Sequence, residues 1–192
     1  MVFFNKHSRK FSYLGSVLFL MGSMTACNHK YFASDADAEF KPVATVQEIM
    51  NSIIDPNIDF VWNSVSSVST AKGTEERKPE TAEDWNVLRQ HALTVVEAAN
   101  LLLVENRPVA IASAATSSGG AELNSDAIKA LIATNRTAYV NRIHELQVAA
   151  QGLIVAIDAK NVQGLEDAGG KVEQACEQCH SQFWYPGDNK PK

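Results

Sequence analysis

Between residues 44 and 185 the apolar positions recur three and four apart, the spacing of amphipathic helices. The first stripe is Ile49, Met50, Ile53 and Ile54. Thr45 can cap it, with Glu48 three residues on to close a capping box. Asp55-Pro56 then interrupts. The residue before a proline is pushed out of the α region, while Asp suits an N-cap and Pro the first helical position. Two pieces are predicted, 44–54 and 56–69, meeting at a kink at Pro56. The second carries Phe60, Val61, Val65 and Val68 on its apolar side.

Residues 70–80 read as a charged loop. A second helix follows from Thr81 to about Val104, with Trp85, Leu88, Ala92, Val95, Val96, Ala99, Leu102 and Leu103 as its stripe. Residues 106–124 are too long for an ordinary helix connection, and their apolar start, Val109 to Ala112, is expected to pack across one end of the domain. A third helix is capped by Asn124, Ser125 or Asp126 and runs to about Ala159, with Ile128, Tyr139, Ile143, Leu146, Ala150, Leu153 and Ile157 on one face. Asn161 caps a fourth almost at once, so the last two helices are antiparallel neighbours; Pro186-Gly187 ends it. The expected fold is all-α with no strands: one antiparallel four-helix bundle, its first helix kinked at Pro56.

The first 43 residues follow no such period. Lys6, Arg9 and Lys10 precede a short apolar run, Leu14 to Met21, as in an export signal. The run is shorter than the ~18 residues of a spanning helix. Ser23-Met24-Thr25-Ala26 before Cys27 looks like a bacterial lipoprotein cleavage site, with Cys27 as the lipidated residue. Met24 departs from the Leu usual three before that cysteine, and an ordinary signal peptide is the alternative. The expected organisation is a signal peptide over 1–26, a tether over 27–43, the helical domain over 44–185 and a tail over 186–192. The expected location is the periplasmic side of a bacterial envelope. Asn28 rather than Asp after the cysteine points, by resemblance to lipoprotein sorting, to the outer membrane.

Charge narrows the partners. The chain has 17 basic and 22 acidic residues, and removal of residues 1–26, with three basic and no acidic ones, takes the net charge from −5 to −8. That is no footprint for nucleic acid. Acidic carriers meet basic patches on protein partners, and charge of this sign also serves solubility.

The chemistry sits near the C-terminus, in Cys176-Glu177-Gln178-Cys179-His180. Residues three apart share a helix face, so two thiols there can add to the two vinyl groups of a porphyrin while the adjacent imidazole reaches the iron. A zinc site would need further ligands at suitable spacing, and a redox CxxC is expected beside a βαβ pattern. Three cysteines is an odd number: two go to haem and Cys27 to lipid. Attachment of haem outside the cytoplasmic membrane agrees with the export signal.

A CxxCH on the last helix of an all-helical chain resembles the class II cytochromes c, the cytochrome c′ family. The resemblance spans about residues 44–185 and rests on the motif, its position and its helical setting. It implies one covalent haem c, bonded to Cys176 and Cys179, with His180 as the proximal iron ligand. In that family the first helix crosses the opposite haem face. A methionine there gives six-coordinate, low-spin iron, and a residue unable to ligate leaves it five-coordinate. Met50, in Thr45-Val46-Gln47-Glu48-Ile49-Met50 with Asp55-Pro56 and Phe60-Val61-Trp62, is similar to that ligating position and looks like the low-spin subgroup. The alternative is a gap-filling core methionine. Phe60 and Trp62 are pocket or core candidates; Lys129, Arg136 and Arg142 are candidates for the propionates or a solvated face; His91 and His144 are haem-side groups or half-buried histidines with one hydrogen bond.

Three functional readings follow. With His180 and Met50 both bound the protein is an electron carrier, lipid-anchored near redox partner proteins. With Met50 in the core it is a five-coordinate binder of NO or CO. Without haem it is a helical binding lipoprotein. No nucleophile–base constellation is present, so catalysis is not expected. Relatives often dimerise through their first two helices, which makes a homodimer one option.

Overall fold

The computed structural model describes residues 41–111 and 122–187. The proposed signal segment, Cys27 and most of the tether lie outside the described residues, as do residues 112–121 and the last five. The described chain is mostly helical: α1 Val46–Ile49, a π-helical turn Met50–Ile54, α2 Asp55–Trp62, α3 Ala82–Leu102, α4 Ser125–Thr134, α5 Arg136–Asp158 and α6 Val162–Phe183. No described helix is long and apolar enough to cross a membrane.

The starts of the helices follow the side chains that cap them. Thr45 closes the expected capping box with Glu48, and Thr81 closes another with Asp84. Asn124 caps α4 through Ala127 N–H, and Asn161 caps α6 through Gly164 N–H.

The first helical run differs from expectation at Pro56. The chain stays helical through it, and Asp55 keeps αR angles (φ −57°, ψ −51°) instead of capping a new piece. Proline lacks an N–H and its ring crowds the carbonyl four residues back. Here the strain is taken up in the π-helical turn, where Asp55 N–H bonds Met50 O, five residues back. Asn57 Nδ2 donates to Ile53 O at 2.6 Å just beyond. The run ends at Trp62, not residue 69. Ile58 and Val61 are its buried residues, whereas Phe60 is 43% exposed.

A second correction concerns the strands. Residues expected as helix end and loop form an antiparallel hairpin, β1 Ser66–Thr70 paired with β2 Gly73–Arg77. Its turn is fastened by Thr70 Oγ1, which donates to Gly73 O and accepts from Lys72 N–H. Gly73 has φ +127°, a conformation that only glycine adopts readily. Arg77 ties the base of the hairpin to Asn63 O at 3.1 Å. Five of the twelve residues from Ser66 to Arg77 are Ser or Thr, which compete with helix through local hydrogen bonds.

The expected third helix is broken at Asn135, with φ −125° and ψ 37°. Thr134 Oγ1 and Asn135 Nδ2 donate back to carbonyls of Ala130 and Leu131, and such bonds compete with the helical ladder.

Packing follows the stripes. α3 lies along α5, with Arg89 on Asp158 at 2.8 Å near one end and Gln147 on Asn100 at 2.7 Å towards the other, so the two run antiparallel. α5 packs on α6 after a three-residue connection. The run from α1 to α2 packs on α3 and reaches α6 through α2. The core comprises Ile49, Ile54, Ile58, Leu88, Val95, Ile143, Leu153, Leu165, Val172 and Phe183 among others.

The segment after α3 covers the start of α1. Val46 and Gln47 N–H groups, orphaned at a helix N-terminus, donate to Pro108 and Val109 carbonyls at 2.9 Å. Val109 and Ala110 are buried, as the apolar start of that interruption implied.

Candidate haem site

Cys176, Cys179 and His180 lie near the C-terminal end of α6, and all three are partly buried. Cys176 and Cys179 are unpaired thiols packed against the apolar core. Burial pushes the Cys176 thiol up to about 11 and the Cys179 thiol up to about 12. Both therefore stand as neutral thiols at pH 7, in surroundings that disfavour a thiolate. Such surroundings suit an uncharged thioether. Among the described residues no three His, Cys, Asp or Glu side chains cluster as a metal site of their own.

A cleft of about 480 Å³ opens beside the motif, lined by Trp62, Gly170, Glu173, Cys176, Glu177 and His180 among others. Trp62 forms its far wall and donates from Nε1 to Gly169 O at 3.2 Å. A Cβ on Gly169 would lie 3.2 Å from Trp62 Cδ1, so the absence of a side chain there lets α2 come this close to α6.

The His180 ring is framed by its own helix end. The Trp184 and Tyr185 rings lie 5.6 and 6.4 Å from it, centroid to centroid. Tyr185 OH donates to Glu177 Oε2 at 2.7 Å. Burial lowers the basicity of His180, opposed by the carboxylates of Asp55, Glu177 and Glu122. Partial burial raises the Asp55 carboxyl, opposed in part by His180. α2 meets α6 beside the motif through Trp62, and Met50 opens the π-helical turn that leads into α2.

Met50 is partly buried and packs against the core. Phe60 does not enter the site; it stacks on His91 with centroids 3.9 Å apart. His91 makes one hydrogen-bond contact, Nδ1 to Asn57 Oδ1 at 2.7 Å, and belongs to the α2–α3 contact. His144 lines an outer groove between α5 and α6. The three basic candidates separate. Arg142 lies over α6, bonded to Gln178, Gln182 and Glu145. Lys129 and Arg136 line a cleft of about 270 Å³ with Tyr139 and Arg107. Tyr139 meets Phe183 edge-on, with centroids 5.3 Å apart, so this cleft adjoins the same end of α6.

The sequence reading missed two residues. Arg107 is only 7% exposed and binds the carbonyls of Leu101 and Ala44, which joins the end of α3 to the start of α1. Glu122 has a carboxylate oxygen, Oε2, that is shielded from solvent and has no hydrogen-bond partner. Neither signal exists in sequence, because both residues look like ordinary loop charges.

A family model described as Cytochrome C′ matches residues 84–184, more than half of the chain, from the first turn of α3 through the CxxCH. This chain belongs to the cytochrome c′ family. It is thus a haem-binding, c-type cytochrome, and its mostly helical fold is that of the family. The match does not extend over the segment of the cytochrome that carries Met50. No curated protein and no solved structure matches the chain.

The residues present fit a haem. They offer two free thiols and an imidazole near one helix end, with a cleft beside them.

Proposed function

We propose that this cytochrome carries single electrons on the periplasmic side of a bacterial envelope. Cys176 and Cys179 hold one haem c through thioether bonds, His180 is its proximal ligand and Met50 its distal ligand. The observation that carries this reading is the gathering of Cys176, Cys179 and His180, partly buried, on α6 beside a cleft that Trp62 of α2 also lines. The haem supplies a one-electron iron couple, and thioether ligation raises its potential. The chain does the rest. α6 fixes the imidazole by anchoring the two cysteines at one helix face. Trp62 and the apolar core keep water from one side. The first helical run, held to α3 by its buried face, presents Met50 to complete a four-helix bundle around the group.

In the same proposal, residues 1–26 are an export signal and Cys27 carries lipid, which keeps the carrier near membrane-bound redox partners. The low-spin subgroup is proposed with Met50. The specific observation favouring the second reading, a five-coordinate binder of NO or CO, is that Met50 packs among core residues and lies outside the family match.

The test is an optical spectrum of the processed protein made with a c-type haem assembly system, wild type beside Met50→Ala, each oxidised and reduced. A low-spin spectrum whose near-infrared methionine–iron band vanishes in Met50→Ala is expected. A high-spin spectrum unchanged by the substitution returns Met50 to the core and makes gas binding the function. No covalent haem leaves only a haem-free lipoprotein.

A further inference from the structure

We infer that the cleft between the end of α3 and the start of α5 is a carboxylate-binding site, with Arg107, Arg136 and Lys129 as its cations. One of its two carboxylate sources is the haem, and that case rests on the attachment at Cys176 and Cys179.

Arg107 carries the argument. It is only 7% exposed, and a guanidinium cannot shed its proton to escape the cost of burial. With Lys129 and Arg136 it lines the cleft of about 270 Å³. Arg107 gives its Nε–H to Leu101 O and an Nη1–H to Ala44 O, and Arg136 gives an Nη2–H to Leu103 O. A guanidinium has five N–H donors, so each keeps most of them for another partner. Carbonyls satisfy donors but do not neutralise charge. Among the described residues the ion pairs are Arg89 with Asp158 and Arg142 with Glu145, and neither includes a cation of the cleft. Glu105 also lines it, which leaves three cations against one carboxylate on the described lining. A buried charge without its opposite costs far more than a paired one, so the place calls for an anion.

The walls choose among anions. Ile132 and Tyr139 line the same space, and Arg136 Cζ stands 5.6 Å from the Tyr139 ring centroid. A carboxylate on an apolar body uses both features: paired N–H groups for its two oxygens, and apolar walls for its hydrocarbon. Inorganic phosphate leaves the walls unused. One source of such a group is a free organic acid. The other is the haem, which carries two propionates on the edge away from its vinyl groups. Cys176, Cys179 and Phe183 are spaced three and four apart on α6 and share a face. Phe183 meets Tyr139 edge-on, with centroids 5.3 Å apart. The thiol-bearing face of α6 thus leads through two adjoining rings to the cationic cleft.

The test is made on the holoprotein, wild type beside Arg136→Gln and Lys129→Gln. Arg89→Gln is the control, since it removes the same charge from the pair with Asp158. The midpoint potential is measured from about pH 5 to 8, and butyrate and inorganic phosphate are titrated in by calorimetry. If propionates fill the site, both cleft variants lower the potential. Both also add a fall with rising pH that the wild type lacks, because the cations hold the carboxyls ionised. Arg89→Gln does neither, and butyrate does not bind. If the occupant is a free acid, butyrate binds more tightly than phosphate. Each cleft variant then weakens it about tenfold, the worth of one charge-assisted bond. Either result supports the site and names its source. Potentials that match the control with no butyrate bound overturn it. So does phosphate bound as tightly as butyrate, which would mean a general positive surface. Lys129 is exposed and its side chain makes no hydrogen bond among the described residues, so its variant keeps the test if Arg136→Gln fails to fold. A chain that takes no haem defeats the functional reading but not this one, which the butyrate titration then decides alone.

Discussion

The indole N–H of Trp62 donates to the carbonyl of Gly169, 107 residues away in the chain, at 3.2 Å. This bond fixes the distance between α2 and α6 beside the CxxCH. Ala is better than Gly in a helix by about 1 kcal/mol, so Gly152→Ala, where a Cβ meets Ala168 at an ordinary 3.7 Å, should stabilise by roughly that amount. At Gly169 the new Cβ meets a ring already held by its hydrogen bond, at 3.2 and 3.3 Å. Gly169→Ala should therefore be less stable than Gly152→Ala, as read by chemical denaturation. Equal gains would show that Trp62 gives way freely.

His91 and Asn57 form the contact that secures the π-helical turn. Asn57 donates to Ile53 O and meets His91 Nδ1, and Phe60 stacks on the ring. His91→Ala should cost about 1–2 kcal/mol, from one hydrogen bond and one ring contact. Thermal and urea denaturation would measure it. The haem spectrum should stay unchanged, since His91 belongs to the α2–α3 contact; a spectral change would place it at the iron instead.

Arg107 holds two carbonyls far apart in sequence, Leu101 at the end of α3 and Ala44 before α1. Hydrogen bonds from a charged donor are worth about 1.5–3 kcal/mol, so Arg107→Ala should lose roughly 2 kcal/mol. Hydrogen exchange should quicken at Val46 and Gln47, whose N–H groups depend on Pro108 and Val109 staying in place. Unchanged exchange would mean that the backbone bonds hold without the guanidinium.

Two capping boxes predict the acid limb of stability. Hydrogen bonds from Thr45 lower the Glu48 carboxyl below its ordinary 4.5, and bonds from Thr81 and Glu80 lower Asp84 below 3.8. A depressed folded value means stability that is complete above the ordinary value and is lost as pH falls through the lowered one. Stability should thus fall below pH 4.5 for Glu48 and below 3.8 for Asp84. Glu48→Gln and Asp84→Asn should each flatten that slope in melting curves taken against pH. Slopes that match the wild type would leave the loss to other groups.

Period and punctuation in the sequence determined most of the helices. The stripes of α3 and α5 are the buried faces, because a 3.6-residue repeat can bury only one side of a helix. The caps at Thr45, Thr81, Asn124 and Asn161 were legible because capping is local chemistry. So was the CxxCH, since thiol and imidazole spacing is fixed by the helix itself.

Tertiary structure decided what local rules leave open. Pro56 is a helix breaker by sequence, but packing of Ile54 and Ile58 on α3 keeps the run helical and moves the strain into a π-turn. Val65 and Val68 continue a helical period, yet the serines and threonines around them and the tie from Arg77 to Asn63 make a hairpin. Phe60 looks like core and lies half outside, on His91. Arg107 and Glu122 read as loop charges until their burial is seen. The physical reason is common to all of them. A periodic face or a cap depends on neighbours in the chain, whereas burial of a charge or the survival of a strained turn depends on what a distant segment brings to it.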